Sequence, residues 1–181
     1  GQKRGNASTS DFSPQAIRDT VAAALSIARY TAEDDCAGLA EKDRLARDYP
    51  QLALYFPWQL SVEQAIELAK ECEQAGFAAD PKITNSEGAT VSTSESQFIY
   101  ANSLDFMGGY PVSRHSVSCA LIAEHNESKQ RDYWYSVARD AVDLESAQEI
   151  GRKTGSRSAA RLGARKIATC DVPVIFEAPI A

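Results

Sequence analysis

His115 and His125 are the only imidazoles in the chain, so acid–base or metal chemistry built on histidine must use one of them. A His-Glu-x-x-His zinc helix needs two histidines four residues apart on one helix face, and that spacing is absent. His115 and Cys119 invite a base–nucleophile reading. They share one face of an expected strand, but four residues of strand separate them by roughly 13 Å at about 3.3 Å per residue. A working dyad needs hydrogen-bond contact. The pair therefore reads as a half-buried histidine and a core thiol. His125 stands with Glu124 and Glu127 at an expected turn. Nothing there fixes a coordination geometry, and a solvated polar turn is the expectation.

Cys36, Cys72, Cys119 and Cys170 form no C-x-x-C pair and match no zinc-knuckle spacing. Without a signal-peptide pattern they read as reduced thiols in a cytoplasm. Lys3, Arg4 and Gly5 lack the P-loop spacing, so Gly5 reads as a turn residue. Lys153, Arg157, Arg161 and Arg165 recur every four residues and form a basic stripe on an expected helix. The stripe suits nucleic acid or an acidic partner in one reading and a solvated face in the other. The second is preferred, because the net charge of −6 disfavours nucleic acid. Tyr133, Trp134 and Tyr135 offer a stacking surface for a ligand or bases. Alternating aromatics in an antiparallel sheet more often pack a core on one face and across strands on the other. Asp140 and Asp143 are too generic a pair to support glycosidase or protease chemistry.

These residues must be positioned by an ordinary globular chain. Its 181 residues, 44% hydrophobic and 24% charged, suit one domain with a packed core. No apolar run approaches the length that spans a bilayer. Residues 1–10 read as the end of a strand or turn. Ser13-Pro14 then starts a helix with Ile17, Val21, Ala24, Leu25 and Ala28 on one apolar face. Residues 31–60 read as a long surface connection with a short helix near residues 39–46. A second helix starts at the capping box Ser61…Gln64, buries Val62, Ala65, Ile66, Ala69 and Cys72, and ends at Gly76.

From Ile83 the period changes to two. Strands are expected near residues 89–94, 97–103, 112–124 and 130–138, paired antiparallel. Turns are expected at residues 85–88, 94–96, 108–109 and 126–128. Val117, Cys119 and Leu121 fall on one face, and Arg114, Ser116 and Ser118 on the other. A third helix is expected over residues 144–164 and a buried strand over residues 172–176. The fold class is α+β: an antiparallel meander with about three helices packed on it.

Several stretches carry a resemblance in one register. They are R-G-N-A-S-T-S-D-F-S-P-Q-A-I (residues 4–17), V-A-A-A-L-S-I-A-R-Y-T (21–31), E-Q-A-I-E-L-A (63–69), K-I-T-N-S-E-G-A (82–89), S-R-H-S-V-S-C (113–119), Q-R-D-Y-W-Y (130–135), and A-R-K-I-A-T with V-P-V-I-F-E (164–177). Together they resemble the TldD/PmbA family, in its PmbA (TldE) branch, and they cover nearly the whole chain.

That resemblance implies a heteromeric cytoplasmic metalloprotease, TldD with TldE, also known as a modulator of DNA gyrase. It implies that residues 1–165 form an N-terminal α+β domain lacking its first elements, and that residues 166–181 open a β-rich C-terminal domain. In TldD a His-Glu-x-x-x-His helix, following a strand that resembles residues 172–176, holds the metal. The matching segment is expected to lie beyond this chain, and the PmbA branch generally lacks the motif. No catalytic, cofactor-binding or metal residue is therefore assigned here. The metal, zinc, is expected in a TldD-like partner. The expected role is a non-catalytic subunit fragment acting with that partner on unfolded peptides, with self-association through an open sheet edge and no membrane partner. The alternative is a nucleic-acid or gyrase-associated module using the basic helix 152–166.

Overall fold

Ser13 and Pro14 begin α1 (Pro14–Tyr30) in the computed structural model, which describes residues 2–178. The Ser13 side chain accepts from the Ala16 N–H at 3.3 Å and Pro14 occupies the first turn, as expected. The chain gathers into two compact units, Gly1–Gln51 with Tyr100–Gly108 and Leu52–Ile99 with Gly109–Ala181.

In the first unit, α1 contains no buried residue. Ile17, Val21 and Leu25, expected to face a core, are 47%, 62% and 55% exposed. Gly5 is a close-packing residue rather than a turn residue. A Cβ there would sit 2.0 Å from the Ala24 carbonyl oxygen. Residues 2–5 are strapped to the loop after α1, where Asp34 N–H donates to Gln2 O and Arg4 Nη2 donates to Cys36 O. Residues 31–60 are irregular, as expected, apart from a 3-10 turn at Lys42–Arg44.

The second unit holds α2 (Val62–Ala79) and α3 (Ala147–Ala160). The sheet is built from β1 (Ile83–Asn102), β2 (Phe106–His125) and β3 (Ser128–Ala138), in that order and antiparallel. The α+β class with three helices and an antiparallel meander is thus the observed one, but with three long strands in place of four short ones. Turns expected at residues 85–88 and 94–96 do not form, and β1 runs through both. Asn, Ser and Gly are turn formers in general, but an exposed strand also accepts them. Gly88, at φ 108°, bends β1 without ending it. Gly108-Gly109 lies inside β2 instead of in a turn. At Gly109 a Cβ would meet the Phe98 carbonyl oxygen at 2.3 Å, so the glycine serves close strand approach. The β1–β2 turn falls at residues 103–105, with Asp105 at φ 60°. Asn126 and Glu127, at φ 48° and 64°, make the expected turn between the paired His125 and Ser128.

The Ser61/Gln64 capping box starts α2, with both reciprocal bonds present. Of its expected buried stripe, Cys72 is buried and Ala65 and Ala69 are half-buried, whereas Val62 and Ile66 are 71% and 48% exposed; Gly76 is buried too. Gly76 does not end the helix, which continues to Ala79. It is the place where α2 meets α3 and the sheet. A Cβ on Gly76 would lie 2.2 Å from Leu121 Cδ1, and one on Gly155 would lie 2.4 Å from the Gly76 carbonyl oxygen.

The third helix is shorter than expected at both ends. Ser146 caps it through the Glu149 N–H, after a 3-10 turn at Ala141–Asp143, and Gly163 at φ 75° follows its last turn. The core lies between these helices and one sheet face: Cys72, Ile83, Val117, Cys119, Leu121, Ala123, Ala147 and Ile150. The buried strand expected at residues 172–176 does not form. Val172, Val174, Ile175 and Phe176 are exposed, and no strand among the described residues pairs with them. An apolar run becomes a strand only where a neighbour supplies its ladder.

Candidate functional site: the open face of the sheet

Alternation along β2 divides its side chains cleanly. Ser113, His115, Val117, Cys119, Leu121 and Ala123 are buried on one face. Arg114, Ser116, Ser118, Ala120 and Ile122 point to the opposite face and are exposed or half-buried, as the sequence pattern requires. The β2–β3 register sets Ser116 against Val137, Ser118 against Tyr135 and Ala120 against Tyr133. Tyr133 and Tyr135 are 52% and 42% exposed, with nearly parallel rings 6.2 Å apart. The result is a shallow platform: small residues along β2, flanked by two phenol rings and an aliphatic side chain on β3. Hydroxyls and apolar surface are present there. The expected aromatic core holds only for Trp134, which is half-buried on the helix side.

On the covered face, His115 is fully buried, not half-buried. Its Nε2 lies 2.8 Å from the Phe56 carbonyl oxygen and its Nδ1 lies 2.9 Å from Thr93 Oγ1. A carbonyl can only accept, so Nε2 carries the proton and Nδ1 accepts from the threonine in the neutral ring. Trp58 packs edge-on against the imidazole at 5.5 Å. Two residues earlier, Ser113 completes the clasp. Its N–H donates to Leu54 O at 2.9 Å, and its Oγ accepts from Phe56 N–H and donates to Arg139 O, both at 2.8 Å. His115 therefore fastens the chain before α2 to β2. No bond joins His115 to Cys119, which lies with Cys72 in the hydrophobic core.

His125 is exposed at the β2–β3 turn, and adjacent Glu124 is engaged by Lys129 at 3.3 Å. Asp140 caps the Ala141–Asp143 turn through the Val142 N–H. Among the described residues, no group of three or more His, Cys, Asp and Glu side chains is placed to hold a metal ion. No helix of the described residues is long and apolar enough to cross a membrane.

The basic stripe is more than a solvated face. Lys153 Nζ donates to Glu145 at 2.8 Å. Arg157 and Arg161 both approach Asp132 Oδ2, at 3.4 and 3.5 Å, and Arg157 Nη1 also reaches Glu177 at 3.0 Å. Arg157 Nε lies against Asp132 without hydrogen-bond alignment. Lys153 and Arg157 both lie over the Trp134 ring, at 5.3 and 5.0 Å. Asp132 itself is only 8% exposed, and it also accepts from the Tyr133 N–H at 2.8 Å. We expect Arg157→Met with Arg161→Met to cost about 2 kcal/mol, because a buried carboxylate loses both its cationic partners, whereas Arg161→Met alone costs under about 1 kcal/mol. Urea denaturation at neutral pH checks both, and equal losses from the single and double variants would refute the pairing.

The molecule is an α+β domain in which three helices accompany an antiparallel sheet, and its polar core groups serve structure. Residues 55–162 match the family model described as PmbA/TldA metallopeptidase central domain. The chain belongs to this PmbA/TldD metallopeptidase family. It is 44% identical over 179 residues to the metalloprotease PmbA of Escherichia coli O157:H7, covering 99% of this chain and 40% of that protein. To the PmbA homologue of Haemophilus influenzae it is 43% identical, covering 97% and 39%. The chain thus spans about 40% of the length of these curated relatives.

Solved structures share the fold. A Bacteroides thetaiotaomicron protein described as a proposed modulator of DNA gyrase superposes with TM-score 0.81 at 24% identity, covering 92% of this chain and 38% of that one. TldE from Thermococcus kodakarensis superposes with TM-score 0.68 at 12% identity, covering 87% and 35%. A metallopeptidase metal finds no ligand set among the described residues of this span.

Proposed function

We propose that this span is a non-catalytic, peptide-presenting part of a cytoplasmic PmbA/TldD-type metalloprotease. A TldD-like partner carries the zinc and the hydrolytic groups. The observation that carries the reading is the fate of His115 and Cys119. Both are sealed in the core, and His115 is committed at both ring nitrogens to the fold. Family membership supplies the reaction class. The open face of β2 and β3 supplies a surface suited to an unfolded peptide, because hydroxyls and exposed tyrosines accept many sequences.

The test mixes the purified chain with a zinc-loaded TldD-like protein and an unstructured fluorogenic peptide. The chain alone is expected to be inactive, and the mixture to show hydrolysis that a chelator abolishes. In the mixture, Tyr135→Ala with Ser118→Arg is expected to raise KM several-fold while leaving kcat near the unmodified value. Chelator-sensitive hydrolysis by this chain alone would defeat the proposal.

The nucleic-acid or gyrase-associated reading of residues 152–166 loses support from ion pairing. Lys153, Arg157 and Arg161 are already engaged by Glu145, Asp132 and Glu177. Phosphate binding would have to displace carboxylates that are already in place.

A further inference from the structure

The open face of β2 and β3 is electrostatically lopsided. At the hairpin end its cations are neutralised: Arg131 pairs with Glu87, and Lys129 with Glu124 at 3.3 Å. At the other end they are not. His115 stands against Ala138 at the end of the ladder, so one further step sets Arg114 on β2 against Arg139. The Ser113 hydroxyl donates to Arg139 O at 2.8 Å and holds that backbone beside β2. Both arginines are exposed, and among the described residues neither guanidinium is in an ion pair. The carboxylates of the adjoining backbone are engaged elsewhere. Asp140 accepts from the Val142 N–H at 3.1 Å, and Glu95 accepts from the Tyr55 hydroxyl at 2.6 Å. Like charges directly opposite each other in a sheet repel and cost stability. Such a pair, unmatched at the end of a peptide-sized platform, suits an anion that arrives with the ligand.

We propose that Arg114 and Arg139 hold an acidic side chain of the bound peptide, so that the open face prefers unfolded peptides carrying Asp or Glu. The inference rests on the peptide-presenting reading above and names what sets the position of the peptide. Hydroxyl and tyrosine contacts accept many sequences and leave a chain free to slide. A carboxylate gripped at one end stops the sliding. Each guanidinium presents a rigid fork of donors that matches the two oxygens of a carboxylate. Two forks around one carboxylate replace mutual repulsion with charge-assisted hydrogen bonds. The next pairs along the sheet, Ser116 with Val137 and Ser118 with Tyr135, then lie beside the residues that flank the acid. The grip is solvent-exposed, so salt screens it, over a Debye length of about 8 Å at physiological ionic strength. A phosphate-bearing chain would meet the same cations, but the net charge of −6 repels it as a whole.

The whole chain is titrated into a pair of dye-labelled, unstructured peptides. Both are amidated at the C-terminus, and they differ only in that the glutamates of one are glutamines in the other. Fluorescence anisotropy at low salt is expected to give the glutamate peptide a Kd about five-fold lower. That gap should close as sodium chloride is raised. Arg114→Gln with Arg139→Gln should erase the gap while leaving Tm and the Kd of the glutamine peptide unchanged. Tyr135→Ala should weaken both peptides alike, because it reads the platform and not the charge. Equal Kd values for the two peptides, with the Tyr135→Ala loss intact, would overturn the arginine assignment and leave the peptide-presenting surface standing. Binding of neither peptide would sink both. The arginine assignment would also fall if a single-stranded oligothymidylate displaced the glutamate peptide at a lower concentration than the unlabelled peptide does, since the cations would then serve phosphate.

Discussion

Gly151→Val is expected to cost at least about 3 kcal/mol, enough to remove the cooperative melt of a marginal domain. The added Cβ would sit 1.9 Å from the Cys72 carbonyl oxygen and 3.0 Å from the Gly76 amide nitrogen. Both obstacles are backbone atoms of α2, so no side-chain rotation relieves them. The two helices must separate, and the seam with Leu121 and Ile150 opens with them. Even Gly151→Ala sets a clear contest of magnitudes. Alanine gains about 1 kcal/mol of helix propensity over glycine. A sub-2 Å approach to backbone outweighs that gain, and a net loss is expected. Gly38→Ala is the control, since nothing lies within 4 Å of its added Cβ. It should change stability by less than about 0.5 kcal/mol. Thermal and urea melts decide the matter, and a Gly151→Ala protein as stable as the unmodified chain would contradict the observed helix contact.

His115→Ala is expected to cost about 3 kcal/mol: roughly 1–3 for the Phe56 carbonyl left without its donor, plus the space left by the ring. The loss should be local as well as global. Residues 54–58 are held by Ser113 and His115 through four hydrogen bonds and one aromatic contact. Amide exchange at Phe56 should quicken, and Trp58 fluorescence should shift toward that of a solvated indole. His125→Ala, at an exposed turn, should stay within about 0.5 kcal/mol of the parent. If the two substitutions cost the same, His115 is not the clasp described above.

Much of this structure is local and could be read from residue order. Ser13-Pro14 and Ser61…Gln64 start helices because the partners of a cap are at most three residues apart. The alternation Val117, Cys119, Leu121 against Arg114, Ser116, Ser118 assigned the two faces of β2, because strand geometry forces a period of two. The seven stretches of family resemblance marked the family for the same reason: they are order along the chain. The histidine spacing already argued against a dyad with Cys119.

What residue order left open depends on partners distant in the chain. Gly76 and Gly109 resemble cap and turn signals in sequence, and Gly151 carries no signal there beyond its place in an expected helix. Only the packed molecule shows that the Leu121 side chain, for Gly76, and another backbone, for Gly109 and Gly151, lie where each Cβ would be. The apolar stripes of α1 and of residues 172–176 looked like core, but hydrophobicity states a capacity for burial and does not supply the covering surface. His115 became a structural clasp because Phe56 O, 59 residues earlier, lies opposite Nε2. Cys72 and Cys119 came to share one core because α2 packs on β2 there. Local spacing marked the helix starts and the two faces of β2, and the resemblance of the seven stretches marked the family. Tertiary contact decided which polar groups were consumed by the fold, and that choice left the tyrosine-flanked face of β2 and β3 open.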